Sequence, residues 1–156
     1  MIGPVPKFAY EPNKYKHIGL IAGGTGITPM IQVARKILEN PEDKTKLSLL
    51  FANVTEDDIL ARDVLEAMAT KYPDRLNLYY TVDKPVADWK HYKGYVNEKM
   101  IKETMPLPGE GNIIMVCGPP PMLESVSGPK GPKFTQGEVG GTLKKMGYTK
   151  DHVFKF

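Results

Sequence analysis

The chain has 156 residues, a length suited to one domain whose core buries roughly two thirds of the unfolded surface, and short for two. Its 41% hydrophobic and 25% charged residues are those of a globular protein, no run approaches the ~20 apolar residues of a membrane span, and Met1 to Lys7 lack a signal-peptide pattern, so a soluble domain is expected. The net charge of +3 rests on scattered lysines with only Arg35, Arg62 and Arg75 as arginines, which favours a solvated surface or loose docking to an acidic partner over nucleic-acid binding.

Residues 1–15, with Gly3-Pro4, Pro6 and Pro12, cannot form a regular element and read as a lead-in from a longer protein, leaving 16–156 as the domain proper. Ile18 to Ala22 is a short apolar strand. Gly23-Gly24-Thr25-Gly26 follows, and Met30, Ile31, Val33, Ala34, Ile37 and Leu38 supply the stripe of a helix. Thr28 is placed as its N-cap and Pro29 as its first residue, where a missing N–H costs nothing. Three glycines between strand and helix leave bare amides and the positive end of a helix dipole facing outward, which suits a nucleotide diphosphate. A tight turn without ligand would need the same glycines. Ile27-Thr28 in place of Lys-Ser/Thr disfavours a triphosphatase loop, and Pro29 stands where the usual dinucleotide fingerprint has its third glycine.

Leu47 to Val54 is a nearly continuous apolar strand, as expected in a parallel sheet covered on both faces. Thr55, with Asp58 in an approximate capping box beside Glu56 and Asp57, is expected to start a second helix, ended by Tyr72-Pro73. Leu76 to Val82 is a third strand, broken by Asp83-Lys84-Pro85. Val86 to Tyr95 reads as a loop carrying Trp89, Tyr92 and Tyr95, aromatics that can pack on a core or stack on a planar ligand. A short helix over about Asn97 to Thr104 precedes a fourth strand, Asn112 to Cys117, which exits abruptly through Gly118-Pro119-Pro120-Pro121-Met122 into a helix starting near Met122. Ser127 to Gln136 is a flexible loop, Glu138 to Met146 a last helix ended by Gly147, and Val153 to Phe156 a final strand.

Five strands alternating with helices predict an α/β fold, a doubly wound, mostly parallel five-stranded sheet with helices on both faces. Ligands of such sheets bind beyond the carboxyl ends of the strands at the switch point, where the glycine turn, the acids 56 to 58, Asp83 and Cys117 all fall. The acids could accept from a ribose hydroxyl, repel a 2′-phosphate, or only stabilise a helix start. Cys117 could be a small buried hydrophobe or a steric wall for a nicotinamide ring. As the single cysteine it excludes an internal disulfide and fits a reducing compartment, and His17, His91 and His152 lack ligand spacing, so no metal site is expected. There is no nucleophile elbow and no zinc-protease motif, so the chemistry is expected to come from a bound cofactor.

Gly23 to Met30 together with Cys117 to Met122 resemble the nicotinamide-binding domain of the ferredoxin-reductase superfamily, and within it the NADH-cytochrome b5 reductase family. Ala52 to Arg62, Tyr80 to Asp83, Gly94 to Asn97 and Phe154 to Phe156 extend the resemblance over essentially the whole chain. It implies a half enzyme: an upstream barrel holds FAD, NADH passes a hydride to it, and electrons go on to cytochrome b5 or a similar haem protein. That barrel's Arg-x-Tyr-Ser/Thr motif is absent here, so the chain alone is expected to be inactive. The resemblance implies that Gly24, Thr25 and Gly26 hold the NADH diphosphate, that Gly23, Pro29 and Met30 belong to the same cofactor site, and that Thr28, with Cys117 a catalytic candidate, lies between nicotinamide and flavin. By the same resemblance Cys117 positions the nicotinamide, Gly118, Pro119, Pro120 and Met122 shape its pocket, Asp83 favours NADH over NADPH, and Tyr95 packs on the adenine. Ser127-Gly128, Gln136 to Glu138 and Leu143 to Tyr148 look most like the mitochondrial type, with a parent in the mitochondrion or on a membrane anchor facing a reducing compartment. The alternatives are the reductase part of a nitrate reductase and a module that binds nucleotide without turnover.

Overall fold

The computed structural model describes residues 15–59, 61–85, 87, 91–106, 108–109, 111–118, 120–128, 139–149 and 152–155. The expected lead-in up to residue 14, Leu60, Trp89, Pro119, residues 129–136 of the expected loop, Glu138 of the expected last helix, and Phe156 lie outside the described residues.

One parallel sheet carries the chain. Its strands are β1 (His17–Gly23), β2 (Lys46–Asn53), β3 (Leu76–Val82), β4 (Tyr92–Lys93), β5 (Asn112–Cys117) and β6 (Val153–Lys155), in the order β4-β3-β2-β1-β5-β6, and every pairing is parallel. The sheet has six strands where five were expected. The sixth is β4, two residues from within the expected aromatic loop, hydrogen-bonded to the edge of β3. A two-residue strand is too short to show periodicity in sequence.

Among the described residues five α-helices cover the two faces: α1 (Ile27–Leu38), α2 (Arg62–Lys71), α3 (Glu98–Thr104), α4 (Pro120–Ser127) and α5 (Gly141–Lys145). Alternation along each strand sorts the apolar side chains by face. Leu20, Leu49, Phe51, Tyr80 and Met115 pack with Met30, Ile37 and Leu65 of α1 and α2. Ile21, Leu50, Ile114 and Val116 pack with Ile101, Val126 and Leu143 of α3, α4 and α5. Both faces of the central strands are thus dry, as their unbroken apolar runs require.

Three helix starts differ from expectation; the last helix, expected from Glu138, begins at Gly141 with Gly140 as its cap. The cap of α1 is Gly26, with Ile27 its first residue, so Thr28 and Pro29 sit at the second and third positions and Thr28 caps nothing. A proline there is tolerated because its missing N–H is one of those a first turn leaves unbonded. The capping box at Thr55 and Asp58 is present, the Asp58 carboxylate accepting from the Thr55 backbone N–H at 3.0 Å and its hydroxyl at 2.9 Å. It starts only a single 3-10 turn, Glu56–Asp58. Ile59 is extended and Ala61 left-handed at φ 53°, so α2 begins at Arg62.

At the amino ends of the strands Arg75 ties three segments together, donating to the carbonyls of Ile37, Leu38 and Thr45 at 3.3, 3.5 and 3.2 Å. This anchors the end of α1 against the starts of β2 and β3 and leaves the carboxyl ends for the site. Among the described residues no helix is long and apolar enough to cross a membrane, and no group of acids, histidine and cysteine gathers as metal ligands would.

Candidate dinucleotide site

The chain runs from β1 outward to β2 and β3, then crosses back to place β5 on the other flank of β1. The carboxyl ends of β1 and β5 therefore border the switch point, where sheets of this kind bind ligands. Ala22 of β1 is in register with Cys117 of β5, so the two exits leave side by side.

The exit of β1 is built to be narrow. Gly23 is buried, and Gly24–Gly26 form one 3-10 turn that leads without interruption into α1. A Cβ on Gly26 would collide with the Cys117 carbonyl group, coming within 2.6 Å of its carbon and 3.1 Å of the Gly118 nitrogen. Only glycine allows the two exits to touch. Gly24 is the opposite case: it is left-handed at φ 54°, and nothing lies within 4 Å of where a side chain would begin. The turn is closed against β5 and open on the Gly24 side, at the amino end of α1, the positive end of its dipole.

On the β5 side, Cys117 is half-buried at the strand end, Gly118 is half-buried, and the Met122 sulfur of α4 lies 2.7 Å from where a Gly118 Cβ would stand. Cys117 packs partly against the first core. Thr28 is exposed and Pro29 half-exposed on the first turn of α1. Met30 is 0% exposed and belongs to the first core, so it supports the turn from below and presents no surface to a ligand. Pro120 opens α4.

Asp83 and Tyr95 lie at a second locus, the carboxyl end of β3. With β2 between β3 and β1, that end stands roughly 10 Å from the glycine turn. The Asp83 backbone N–H donates to the Asn53 carbonyl at 3.1 Å, and Lys84 donates to Val54 at 2.8 Å, which carries the β2–β3 pairing past the strands. Burial pushes the Asp83 carboxyl above its ordinary pKa, with Lys84 opposing. Thr81 holds the Gly94 carbonyl through its hydroxyl at 2.6 Å, and Tyr95, next in the chain, is 80% exposed. A tyrosine ring exposed at a strand end offers an apolar face to a planar base.

Asn53 had no role assigned from sequence. It closes β2, is 9% exposed, and its side-chain amide nitrogen is buried without a hydrogen-bond partner. A buried donor left unpaired is costly, and this one lies in the strand between the two loci. Its only signal in sequence is an amide ending an otherwise apolar strand. An open left-handed turn, a narrow two-strand exit and an unpaired donor in the strand toward the Asp83 locus fit an extended ligand rich in acceptors, as a dinucleotide is.

The acids after β2 do not stand ready as a set of ribose acceptors. Asp58 is used within its capping box, and Glu56 accepts from Arg62 Nη1 at 2.7 Å.

Comparison with known proteins gives the family. Residues 20–128 match the model of the oxidoreductase NAD-binding domain, and the chain belongs to that family. It is 53% identical over 154 residues to the NADH-cytochrome b5 reductase-like protein of Arabidopsis thaliana, covering 99% of this chain and 47% of that protein. It is likewise 53% identical to NADH-cytochrome b5 reductase 2 of Aspergillus fumigatus, with 99% and 48% covered. Among solved structures, the cytochrome b5 reductase domain of Ulva prolifera nitrate reductase superposes with a TM-score of 0.77 at 42% identity, over 91% of this chain and 50% of that one. The chain spans about half the length of the curated relatives it matches.

Proposed function

We propose that this chain is the NADH-binding half of a flavoprotein reductase of the cytochrome b5 reductase type, delivering hydride from NADH to an FAD held by a separate domain, with cytochrome b5 or a similar haem protein as acceptor. The observation that carries the reading is the contact of the glycine turn with the Cys117 exit at the switch point, flanked by an open left-handed Gly24.

NADH supplies a hydride from its nicotinamide ring. The protein's part is binding and orientation. Gly24 to Gly26 and the first amides of α1 receive the diphosphate, which the helix dipole favours. Cys117, Gly118 and Met122 form one wall of the nicotinamide pocket and fix the ring against the flavin side, where Thr28 is exposed. Asp83 and Tyr95 take the adenosine end, the carboxylate facing the ribose and the ring facing the base. Asn53 donates from the strand between. Orientation of this kind is worth several powers of ten in rate when the reacting atoms are held close.

The closer identity to the b5 reductases than to the nitrate reductase domain, 53% against 42%, supports cytochrome b5 as acceptor over a nitrate reductase chain. The sequence likeness of Ser127-Gly128 and Leu143 to Tyr148 to the mitochondrial type supports a mitochondrial parent, which localisation of the tagged full-length protein would test. For the reaction itself, the chain is mixed with the FAD-loaded flavin domain of a cytochrome b5 reductase, and NADH-dependent reduction of cytochrome b5 is followed. The proposal expects reduction only with both parts present. Reduction by the chain with no flavin, or none with both, would contradict it.

A further inference from the structure

In doubly wound nucleotide-binding sheets the acid that follows β2 meets the ribose 2′-hydroxyl, and an arginine nearby takes a 2′-phosphate in its place. This chain has both at that location, bonded to each other. Glu56 is the first acid after β2, in the turn at its carboxyl end, and Arg62 opens α2 directly beyond. Arg62 Nη1 lies 2.7 Å from Glu56, its Nε lies 3.3 Å from Glu66, and its guanidinium sits 5.3 Å over the Tyr80 ring.

The other arginines are elsewhere. Arg75 binds carbonyls at the opposite end of the sheet, and Arg35 lies in the last turn of α1. Arg62 is therefore the one arginine of the three at the ribose end, and two carboxylates and an aromatic face already occupy it. Asp83 stands at the adjoining strand end, its backbone bonded to Asn53 of β2, with the exposed Lys84 beside it. The Arg62 and Glu56 side chains are 31% and 37% exposed, so a released guanidinium would face solvent and ligand. Its planar fork can hold a phosphate by two hydrogen bonds once one edge is vacated.

We infer that Glu56, with Glu66 behind it, acts as a specificity lock: it holds Arg62 away from the ribose and so excludes 2′-phosphorylated dinucleotides from this site. This rests on the dinucleotide reading above and adds a determinant of coenzyme choice separate from Asp83. A purely structural ion pair, holding the start of α2 after left-handed Ala61, would affect melting alone.

The test is calorimetric titration of wild type, Glu56→Gln and Glu56→Gln/Arg62→Ala with ADP-ribose and with 2′-phospho-ADP-ribose, at low and high salt. Wild type is expected to favour ADP-ribose. Glu56→Gln should shift the ratio of the two dissociation constants toward the 2′-phosphate by about tenfold, the equivalent of one charge-assisted hydrogen bond. Removing Arg62 as well should abolish that gain, and high salt should shrink it. Glu66→Gln, which leaves the turn after β2 untouched, should move the ratio in the same direction by less, and it stands in if Glu56→Gln does not fold. An unchanged ratio with ADP-ribose binding intact, or a gain that survives removal of Arg62, overturns the lock. If wild type binds neither ligand, the dinucleotide reading fails and the lock with it.

Discussion

Gly26 and Cys117, separated by most of the chain, touch through their backbones so closely that a single methyl group on Gly26 would strike the Cys117 carbonyl group. The contact joins the exits of β1 and β5 at the switch point, and each half of the proposed pocket is placed by the other.

That contact predicts a contrast between two glycines of one turn. Gly26→Ala forces apart backbone that no rotamer change can move, at a cost of about 1–3 kcal/mol in urea unfolding. Gly24→Ala meets open space and pays only the left-handed penalty, about 1–2 kcal/mol. In binding they should differ more sharply, Gly26→Ala weakening NADH at both the diphosphate and nicotinamide ends.

The proposed place of Cys117 at the nicotinamide wall predicts a separable effect on rate. With the flavin domain supplied, Cys117→Ser should lower the rate of flavin reduction by roughly tenfold to a hundredfold, as small misplacements of reacting atoms do, while ADP-ribose affinity stays within about twofold. Equal loss of both would place Cys117 in the fold and not at the nicotinamide.

Arg75 predicts a stability effect with no effect on the site. Arg75→Ala removes donors from three carbonyls at the amino ends of the strands and should cost about 1–3 kcal/mol, with NADH affinity in the folded protein unchanged. Unfolding curves and titration on the same sample check both halves.

His17 predicts an acid sensitivity. Burial, with Lys46 adding, holds its ring below the ordinary pKa of 6.5, and the ring is hydrogen-bonded to the Ser48 hydroxyl at 2.7 Å. The unfolded chain takes up this proton at higher pH than the folded one, so stability falls as pH drops from 6.5 toward the folded value. His17→Gln should flatten the melting temperature across that window, and a slope unchanged by the substitution would assign the sensitivity elsewhere.

Long apolar segments were legible from sequence because burial on both faces leaves few alternatives. β3 runs from Leu76 to Val82 and β5 from Asn112 to Cys117, as their composition predicts. Features set by tertiary contact were not. The cap of α1 falls on Gly26 and not Thr28 because the turn is pulled against Cys117, a neighbour that local preference cannot see. Ala61 in the left-handed region delays α2 to Arg62, although the helical stripe runs on through it. The two strand exits could be placed on one side of the sheet from their order, but the unpaired amide of Asn53 and the Glu56–Arg62 pair emerge only once the chain is folded.

The central claim is that a dinucleotide diphosphate sits on the Gly24 turn, and Gly24→Asp tests it most directly. Aspartate tolerates the left-handed conformation better than most residues and has open space there, so the fold should persist, while its carboxylate would oppose the diphosphate. Calorimetry with NADH and ADP-ribose should show one saturable site in wild type and at least about a tenfold loss in the variant, equivalent to ~1.4 kcal/mol. Equal affinity in a folded Gly24→Asp, or no binding by wild type, would contradict the account.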